Sequence, residues 1–172
     1  DSIKGRLAIQ NDFSYQENLD QSYTSLASTE INWLNRNVDK NIGLLFDNEA
    51  TIRVVSISND YKDKDDIENV RFFPQISSKI SFPLYKASGS SNQTLTPIIM
   101  PILAPYNNYT EHKNITNSNL FSTNRASPIT ESESGPRINY GIEWFNTYKN
   151  SLDIKVVAGQ NLKFNKEKED TT

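Results

Sequence analysis

The chain offers few residues for enzyme chemistry. Its 172 residues include no cysteine and a single histidine, His112, which lies in a polar run and reads as an ordinary loop residue. Disulfides and thiolate metal sites are therefore excluded. We recognise no Ser-His-Asp triad, no Cys-His pair and no clustered metal ligands. Asp47 and Glu49 could form a carboxylate pair, but they are explained more simply as charges along one face of a strand. We expect no enzyme activity, no metal site and no cofactor.

Charged residues alternate with apolar ones instead of clustering. Between residues 44 and 54, one set of alternate positions holds the apolar residues Leu44, Phe46, Ala50, Ile52 and Val54, and the other set holds Asp47, Glu49, Thr51 and Arg53. This period of two is that of a β-strand, whose successive side chains point to opposite faces. One face of such a strand must meet water. The charges that we assign to this face, which would line the lumen if the strands form a barrel, are Asp47, Glu49, Arg53, Lys79 and Glu143.

The same period recurs along the whole chain, while helical periods are nearly absent. We therefore predict an all-β fold, an antiparallel up-and-down meander of about seven long strands. Their expected positions are residues 3–15, 24–35, 41–57, 70–85, 94–106, 137–147 and 151–164, with a long loop at 107–136. The expected connections alternate between short and long, as they do in outer-membrane barrels with short periplasmic turns and long extracellular loops.

The fifth predicted strand is unusual because it carries prolines four residues apart, at Pro97, Pro101 and Pro105. Proline cannot donate a hydrogen bond to a neighbouring strand. We therefore expect a bent, edge-like or bulged strand here. An extended loop of the polyproline type is the alternative.

Alternation alone does not decide which solvent the apolar face meets, since soluble β-sandwiches alternate in the same way. The length of the predicted strands favours a barrel in lipid, because a membrane strand needs about 9–11 residues. Aromatic residues near strand ends would form interfacial girdles. The net charge of −3 does not indicate a general nucleic-acid surface, and no run of apolar residues is long enough for a transmembrane helix. Both a barrel segment and a sandwich stay open.

The last third of the chain resembles a known family. Its long loop contains NLFSTNR (119–125), ESESGPRINYGIE (131–143) follows, and VVAGQNLKF (156–164) closes the series. The preceding strand is LTPIIMPILAPY (95–106). This order is similar to the C-terminal barrel region of the lipopolysaccharide-assembly outer-membrane protein family, LptD, also called OstA or organic solvent tolerance protein. The residues that fit its motifs are Asn119, Leu120, Phe121, Asn124 and Arg125 in the loop, and Glu133, Gly135, Arg137, Tyr140, Gly141, Gly159 and Gln160 in and before the strands.

The resemblance implies a role in the outer membrane of a Gram-negative bacterium. Members of this family insert lipopolysaccharide into the outer leaflet, with a plug lipoprotein (LptE-like) inside the barrel and periplasmic bridge proteins (LptA-like) that deliver the substrate. The family barrel is much larger than seven strands. Residues 1–172 would then be a partial barrel wall in contact with outer-membrane lipid, with open first and last strands. No bond is made or broken by such a protein.

The motif residues allow two interpretations. In one, the loop packs into the lumen or onto the plug, and its Asn and Arg side chains bind other loops, sugar or phosphate. In the other, which we favour, Leu120 and Phe121 pin the loop while Arg125 pairs with a carboxylate of the lumen. The glycines at 141 and 159 then provide bends or close approaches, and Tyr140 anchors the apolar face at the membrane interface.

Two other functions share the strand pattern without the loop motifs. The first is a generic outer-membrane porin or receptor barrel. The second is a soluble, secreted β-sandwich that acts as a binding module. A single sheet with an uncovered apolar face would favour a barrel, whereas two sheets packed face to face would favour the sandwich.

Overall fold

The computed structural model describes residues 4–17, 22–60, 67–108, 115–116, 118–126 and 130–164. Ile3, His112 and much of the predicted long loop lie outside these ranges. The described residues contain eight strands: β1 (Arg6–Glu17), β2 (Tyr23–Asp39), β3 (Leu44–Asp60), β4 (Ile67–Ser81), β5 (Leu84–Ala87), β6 (Ser91–Leu103), β7 (Arg137–Tyr148) and β8 (Asp153–Lys163). In this part of the chain, no helix is long and apolar enough to cross a membrane.

All strands belong to one antiparallel sheet. Its order is β1-β2-β3-β4-β6-β7-β8, and β5 pairs with β6. Each strand therefore lies beside the strand that precedes it in the chain, apart from the short β5. This arrangement confirms the predicted all-β, antiparallel up-and-down meander. The sheet is open, with β1 and β8 at its two edges.

Eight strands replace the seven that were predicted because one predicted strand, 70–85, is divided. Ser81 lies opposite Ile98 and Leu84 lies opposite Leu95, so β4 and β5 share one register along β6. The interruption between them contains Pro83, which has no N–H to donate. A second difference concerns the connection between β2 and β3. We expected residues 35–41 to be a connection, but β2 continues to Asp39 and pairs with β3 over its whole length.

The proline-bearing strand is not at an edge of the sheet, which was one of the expected forms, and it is not the alternative loop. β6 is neither an edge strand nor a loop, because it pairs with β7 along twelve residues and with β4 and β5 on its other side. Pro97 and Pro101 lie within it, and Pro105 follows its end. The Phe82 amide donates to the Pro97 carbonyl oxygen (3.1 Å), which places Pro97 with its missing N–H toward β4 and β5. An interior strand tolerates these prolines because the pairing with β7 remains continuous.

One face of the sheet is apolar, and the described residues leave it uncovered. The strand registers align Leu7 with Trp33, Ile31 with Ile52, and Val54 with Phe72 across β1 to β4. The same face continues through Ile99, Tyr140, Ile142 and Val156 in β6 to β8. Large side chains of this face are extensively exposed, including Leu7 (62%), Phe72 (57%), Ile76 (60%) and Leu103 (63%). We call this the apolar face.

The buried core lies on the opposite side. Its apolar members are Val55, Phe73, Ile98, Met100, Ile102, Leu120 and Val157. Six of them project from strands, and Leu120 comes from the loop that follows β6. This arrangement explains the continuously apolar sequence of β6, because Ile98, Met100 and Ile102 are buried on this side while the odd-numbered residues between them project to the apolar face. Within the described residues, no second sheet covers the apolar face.

Candidate functional site: a loop docked on the polar face

The charges predicted to share one face do so. Asp47, Glu49 and Arg53 alternate along β3 with residues of the apolar face, and Asp47 lies opposite Lys79 of β4. Glu143 occupies the corresponding side of β7, where its carboxylate is 3.6 Å from the Lys155 ammonium. We call this side of the sheet the polar face. It carries every strand charge that the sequence assigned to a water-facing surface.

Residues 118–126 and 130–136, which we call the docked loop, lie against the polar face. The Thr123 hydroxyl is 2.9 Å from the Ser77 hydroxyl and also donates to the Glu49 carboxylate. The Gln75 side-chain amide donates to the Ser132 hydroxyl (2.7 Å). These contacts join residues more than forty positions apart in sequence. The loop is therefore held by strands β3 and β4 as well as by its own neighbours.

Arginines of the sheet bind backbone oxygens of the docked loop. The Arg71 guanidinium donates to the carbonyl of Thr130 (2.9 Å), and the Arg53 guanidinium donates to the carbonyl of Glu131 (3.4 Å). Arg53 also forms an ion pair with Glu30 across β2 and β3 (2.6 Å). Because charge-assisted hydrogen bonds are stronger than neutral ones, these side chains fix the path of the loop over the sheet.

A buried ion cluster closes the docked loop at the start of β7. The Arg125 guanidinium donates from Nε to Glu133 (2.8 Å) and makes a second, parallel hydrogen bond from Nη2. Arg137 places its Nε 3.4 Å from the same carboxylate and donates from Nη2 to the Thr123 carbonyl. The side chains of Arg125 and Arg137 are 3% and 0% exposed, so one carboxylate balances two buried cations.

The environment of Glu133 has opposing effects on its pKa. Burial raises the pKa of the Glu133 carboxyl, whereas the hydrogen bond from Arg125 and the positive charges of Arg137 and Arg125 lower it. The net result is a pKa below the ordinary value. The ionised carboxylate is therefore the form that belongs to the docked loop.

This cluster identifies the partner of Arg125. We expected Arg125 to pair with a carboxylate of the lumen, and the carboxylate with which it pairs is Glu133 of the same docked loop. Arg125 and Glu133 are eight residues apart within a loop, and no helical or strand pattern in the sequence pairs them. The expected pinning by Leu120 holds, since this side chain is 3% exposed. Phe121 is half-buried and lines two cavities on the polar face.

The two asparagines of the loop motif bind backbone groups of the loop itself. The Asn124 side-chain oxygen accepts from the amides of Ala126 (3.2 Å) and Glu133 (3.0 Å), which joins the two segments of the docked loop. The Asn119 side-chain oxygen accepts from the Thr116 amide (2.8 Å). Both contacts give these side chains a structural role in shaping the loop.

The motif glycines explain how Leu120 reaches the sheet. Gly141 lies opposite Gly159 in the β7–β8 pair. A Cβ at Gly141 would be 2.2 Å from the Ala158 carbonyl oxygen, and a Cβ at Gly159 would be 2.3 Å from the Tyr140 oxygen and 2.8 Å from Leu120 Cδ2. Only glycine fits such distances, so the pair lets the strands and the loop approach closely.

The remaining motif residues fasten the ends of the strands. The Tyr140 hydroxyl donates to the Gln160 side chain (2.6 Å) on the apolar face. Gly135 adopts a φ of 81°, a conformation that favours glycine, and its amide donates to the Pro105 carbonyl (3.1 Å). The site therefore consists of the motif residues together with partners that the sequence did not single out, namely Thr123, Ser132, Gln75, Ser77 and Arg71. Their polar types are common in loops and strands, and no spacing marked them.

A polar cavity of about 400 Å³ separates part of the docked loop from the sheet. It is lined by Glu30, Arg53 and Gln75 on the strands and by Phe121 and Asn124 on the loop. In the part of the chain that the structure describes, no group of three or more His, Cys, Asp or Glu residues could hold a metal ion. The chemistry available here is hydrogen bonding and charge pairing.

Fold and site together define an open, amphipathic antiparallel sheet with a loop docked on its polar face. No model of a known protein family matches the chain. No curated protein matches it either.

Proposed function

We propose that this chain is part of the wall of an outer-membrane β-barrel, with its apolar face toward lipid and its polar face toward a water-filled lumen. The observation that carries the proposal is the continuous apolar face, on which Leu7, Phe72 and Leu103 are more than half exposed. A monomeric soluble protein rarely exposes so large an apolar surface. Hydrocarbon would cover it, while the docked loop and the charges would lie inside.

The open edges support the same proposal. β1 and β8 each have one side without a partner strand among the described residues. A sheet that spans a bilayer must close, since unpaired backbone groups in lipid cost several kcal/mol each. Further strands of a larger barrel would satisfy these groups.

We further propose that the barrel is the translocon that inserts lipopolysaccharide into the outer leaflet, in cooperation with an LptE-like plug lipoprotein and LptA-like bridge proteins. The support is the resemblance of residues 95–164 to the LptD family. The geometry adds that five of the twelve matching residues act together: Leu120, Arg125, Glu133 and Arg137 hold one loop, and Gly159 receives it. A generic porin or receptor barrel is the alternative.

Single cysteines test the membrane arrangement, because the chain has none of its own. Ile142→Cys and Glu143→Cys are neighbours on opposite faces of β7, and each would be made in the intact, membrane-inserted protein on a cysteine-free background. We expect a fluorophore at position 142 to be quenched by brominated lipid. A thiol at 143 should react with a small water-soluble reagent. Equal behaviour of the two positions would contradict the proposal.

Deletion of residues 117–127 in the intact protein tests the lipopolysaccharide role. We expect less lipopolysaccharide in the outer leaflet, because the deletion removes Leu120, Thr123 and Arg125. Replacement of residues 61–66 by a glycine-serine segment of equal length is the control and should leave the level unchanged. Altered solute permeability with normal surface lipopolysaccharide would instead favour the porin alternative.

A further inference from the structure

A small pocket opens on the apolar face near the turn that joins β5 and β6. Its volume is about 250 Å³, and its lining residues are Leu84, Tyr85, Lys86, Gln93, Leu95 and Trp144. We call it the rim pocket. The docked loop lies on the other side of the sheet and contributes no residue to this lining, so the rim pocket is independent of the site described above.

Strand register builds the rim pocket from two rows of side chains that cross β5, β6 and β7. The first row is apolar and consists of Leu84, Leu95 and Trp144. The second row lies two residues nearer the turns and is polar; it consists of Lys86, Gln93 and Asn146. Alternate residues of a strand share one face, so both rows lie on the apolar face. The pocket therefore marks the place where this face changes from apolar to polar.

The polar row has hydrogen-bonding groups that the described chain does not use. Asn146 is 1% exposed, yet its Nδ2 and Oδ1 atoms have no hydrogen-bond partner among the described residues. Buried amides are nearly always hydrogen-bonded in native proteins, because an unpaired amide has lost its hydration without compensation. At the other end of the row, Lys86 is exposed and has no ion-pair partner in the part of the chain that the structure describes. The row thus offers a positive charge and amide groups to an anionic ligand.

The apolar row sets a second requirement for the ligand. Leu84 and Leu95 are 46% and 38% exposed, and Trp144 is half-buried beside Leu95. Two residues of a strand span about 7 Å, so one ligand must present hydrocarbon and an anionic group within roughly that distance. Tryptophan and lysine side chains are suited to the boundary between hydrocarbon and water in membranes. A glycerophospholipid has the required order of groups, namely acyl chain, ester carbonyls and phosphate.

We propose that the rim pocket binds one anionic phospholipid of the surrounding membrane. The phosphate pairs with Lys86, the ester carbonyls accept hydrogen bonds from the amides of Gln93 and Asn146, and an acyl chain lies along Leu95 and Trp144. The β5–β6 and β7–β8 turns beside the pocket are short, and short turns face the periplasm in outer-membrane barrels. The lipid therefore belongs to the periplasmic leaflet. This inference rests on the proposed function, because it requires the apolar face to meet lipid.

Lipid selectivity at the rim pocket can be measured with the fluorophore at position 142, which lies two residues from Trp144 on the same face of β7. The intact protein is placed in phosphatidylcholine vesicles, and an equal small fraction of the lipid is replaced by brominated phosphatidylglycerol or brominated phosphatidylcholine. We expect quenching to show a preference of about fivefold for phosphatidylglycerol, which is the effect of one lysine on binding to an anionic lipid. A fluorophore at Ile52→Cys, on the same face of β3, should show no preference.

Two variants assign the preference to the polar row. Lys86→Gln should abolish it, whereas Lys40→Gln, which removes an exposed cation from the β2–β3 turn, should leave it unchanged. Asn146→Leu should weaken quenching by brominated phosphatidylglycerol at position 142. The same variant should unfold at no lower temperature in lipid-free micelles, because it removes a buried amide that has no partner there. Unchanged quenching in a stable Asn146→Leu protein would show that this amide does not contact lipid.

The result that would overturn the rim pocket differs from the result that would overturn the membrane arrangement. Equal quenching by the two brominated lipids at position 142 refutes the pocket and leaves the arrangement in place, as does a preference that persists in folded Lys86→Gln protein. Quenching that falls as the protein-to-lipid ratio rises would indicate a second copy on this surface in place of lipid. If neither brominated lipid quenches the fluorophore at 142, the membrane arrangement itself is refuted.

Discussion

Replacement of Glu133 by glutamine should release the docked loop from the sheet. The substitution preserves the size of the side chain but removes the one carboxylate that balances Arg125 and Arg137. Both arginine side chains are almost fully buried, so they would be left as uncompensated charges away from water. Removal of one partner from a buried ion pair typically costs about 3–5 kcal/mol.

The structure suggests the lower end of this range. Glu133 accepts two hydrogen bonds from Arg125, each worth about 1.5–3 kcal/mol as bonds to a charged group. Glutamine can still accept one of them, and water can reach the arginines once the loop has opened. We therefore expect the opening free energy of the loop to fall by about 3 kcal/mol, which corresponds to a rise of roughly 100-fold in the open population.

Amide hydrogen exchange in the intact protein measures this population directly. The informative amides are those of Glu133, bonded to Asn124, and of Gly135, bonded to Pro105. The matched control is Glu143→Gln, on the same face, whose partner Lys155 is 57% exposed and whose ion pair is worth about 0–1 kcal/mol. Unchanged exchange in the Glu133 variant would refute the reasoning, as would equal acceleration of amides throughout β7 and β8.

Three further predictions concern the same region. Gly159→Ala should destabilise the protein by about 1–3 kcal/mol, because the added Cβ would overlap a backbone oxygen. Gly89→Ala is the control: the added Cβ meets open space, so this variant should be nearly neutral in thermal unfolding. The pKa of Glu133 is lowered in the folded state, so the ionised carboxylate stabilises the docked loop. This stabilisation is fully present above the ordinary pKa of 4.5 and is lost as the pH falls below it. Hydrogen exchange of the loop amides should therefore accelerate in acid. Pro101→Thr would provide an N–H directed toward β4, so it should add about 1 kcal/mol of stability and slow amide exchange around Ser78. Unchanged or faster exchange at Ser78 would contradict the assigned orientation of β6.

The strand pattern could be predicted because a period of two is local. The apolar residues between Leu44 and Val54 were expected on one face and Asp47, Glu49 and Arg53 on the other, and the pairing of β3 with β2 and β4 agrees. Strand ends were less predictable. Residues 35–39 have a sequence that fits a turn as well as a strand. They form part of β2 because they pair with residues 44–48 of β3, and such pairing cannot be recognised from a local pattern.

The docking of the loop could not be predicted from local patterns. Thr123 contacts Glu49 and Ser77, and Gln75 contacts Ser132. These are long-range tertiary contacts between residues far apart in the sequence, so no local pattern predicts them. The interior position of β6 was missed for a related reason. Its prolines, when read alone, indicated a bent, edge-like or bulged strand, but the neighbouring β7 supplies a complete ladder, and Ile98, Met100 and Ile102 are buried on the polar side.

The two faces of the sheet place opposite demands on their surroundings. On the polar face, the buried charges of Arg125 and Arg137 are balanced within the chain, and the loop supplies Leu120 to cover the apolar side chains around it. On the apolar face, the described residues supply no such cover. The chain therefore covers much of its own polar side, while any cover for the apolar face has to come from outside the described residues. Lipid is the cover that we propose, because the wall of a membrane barrel has an apolar outer face and a polar inner face.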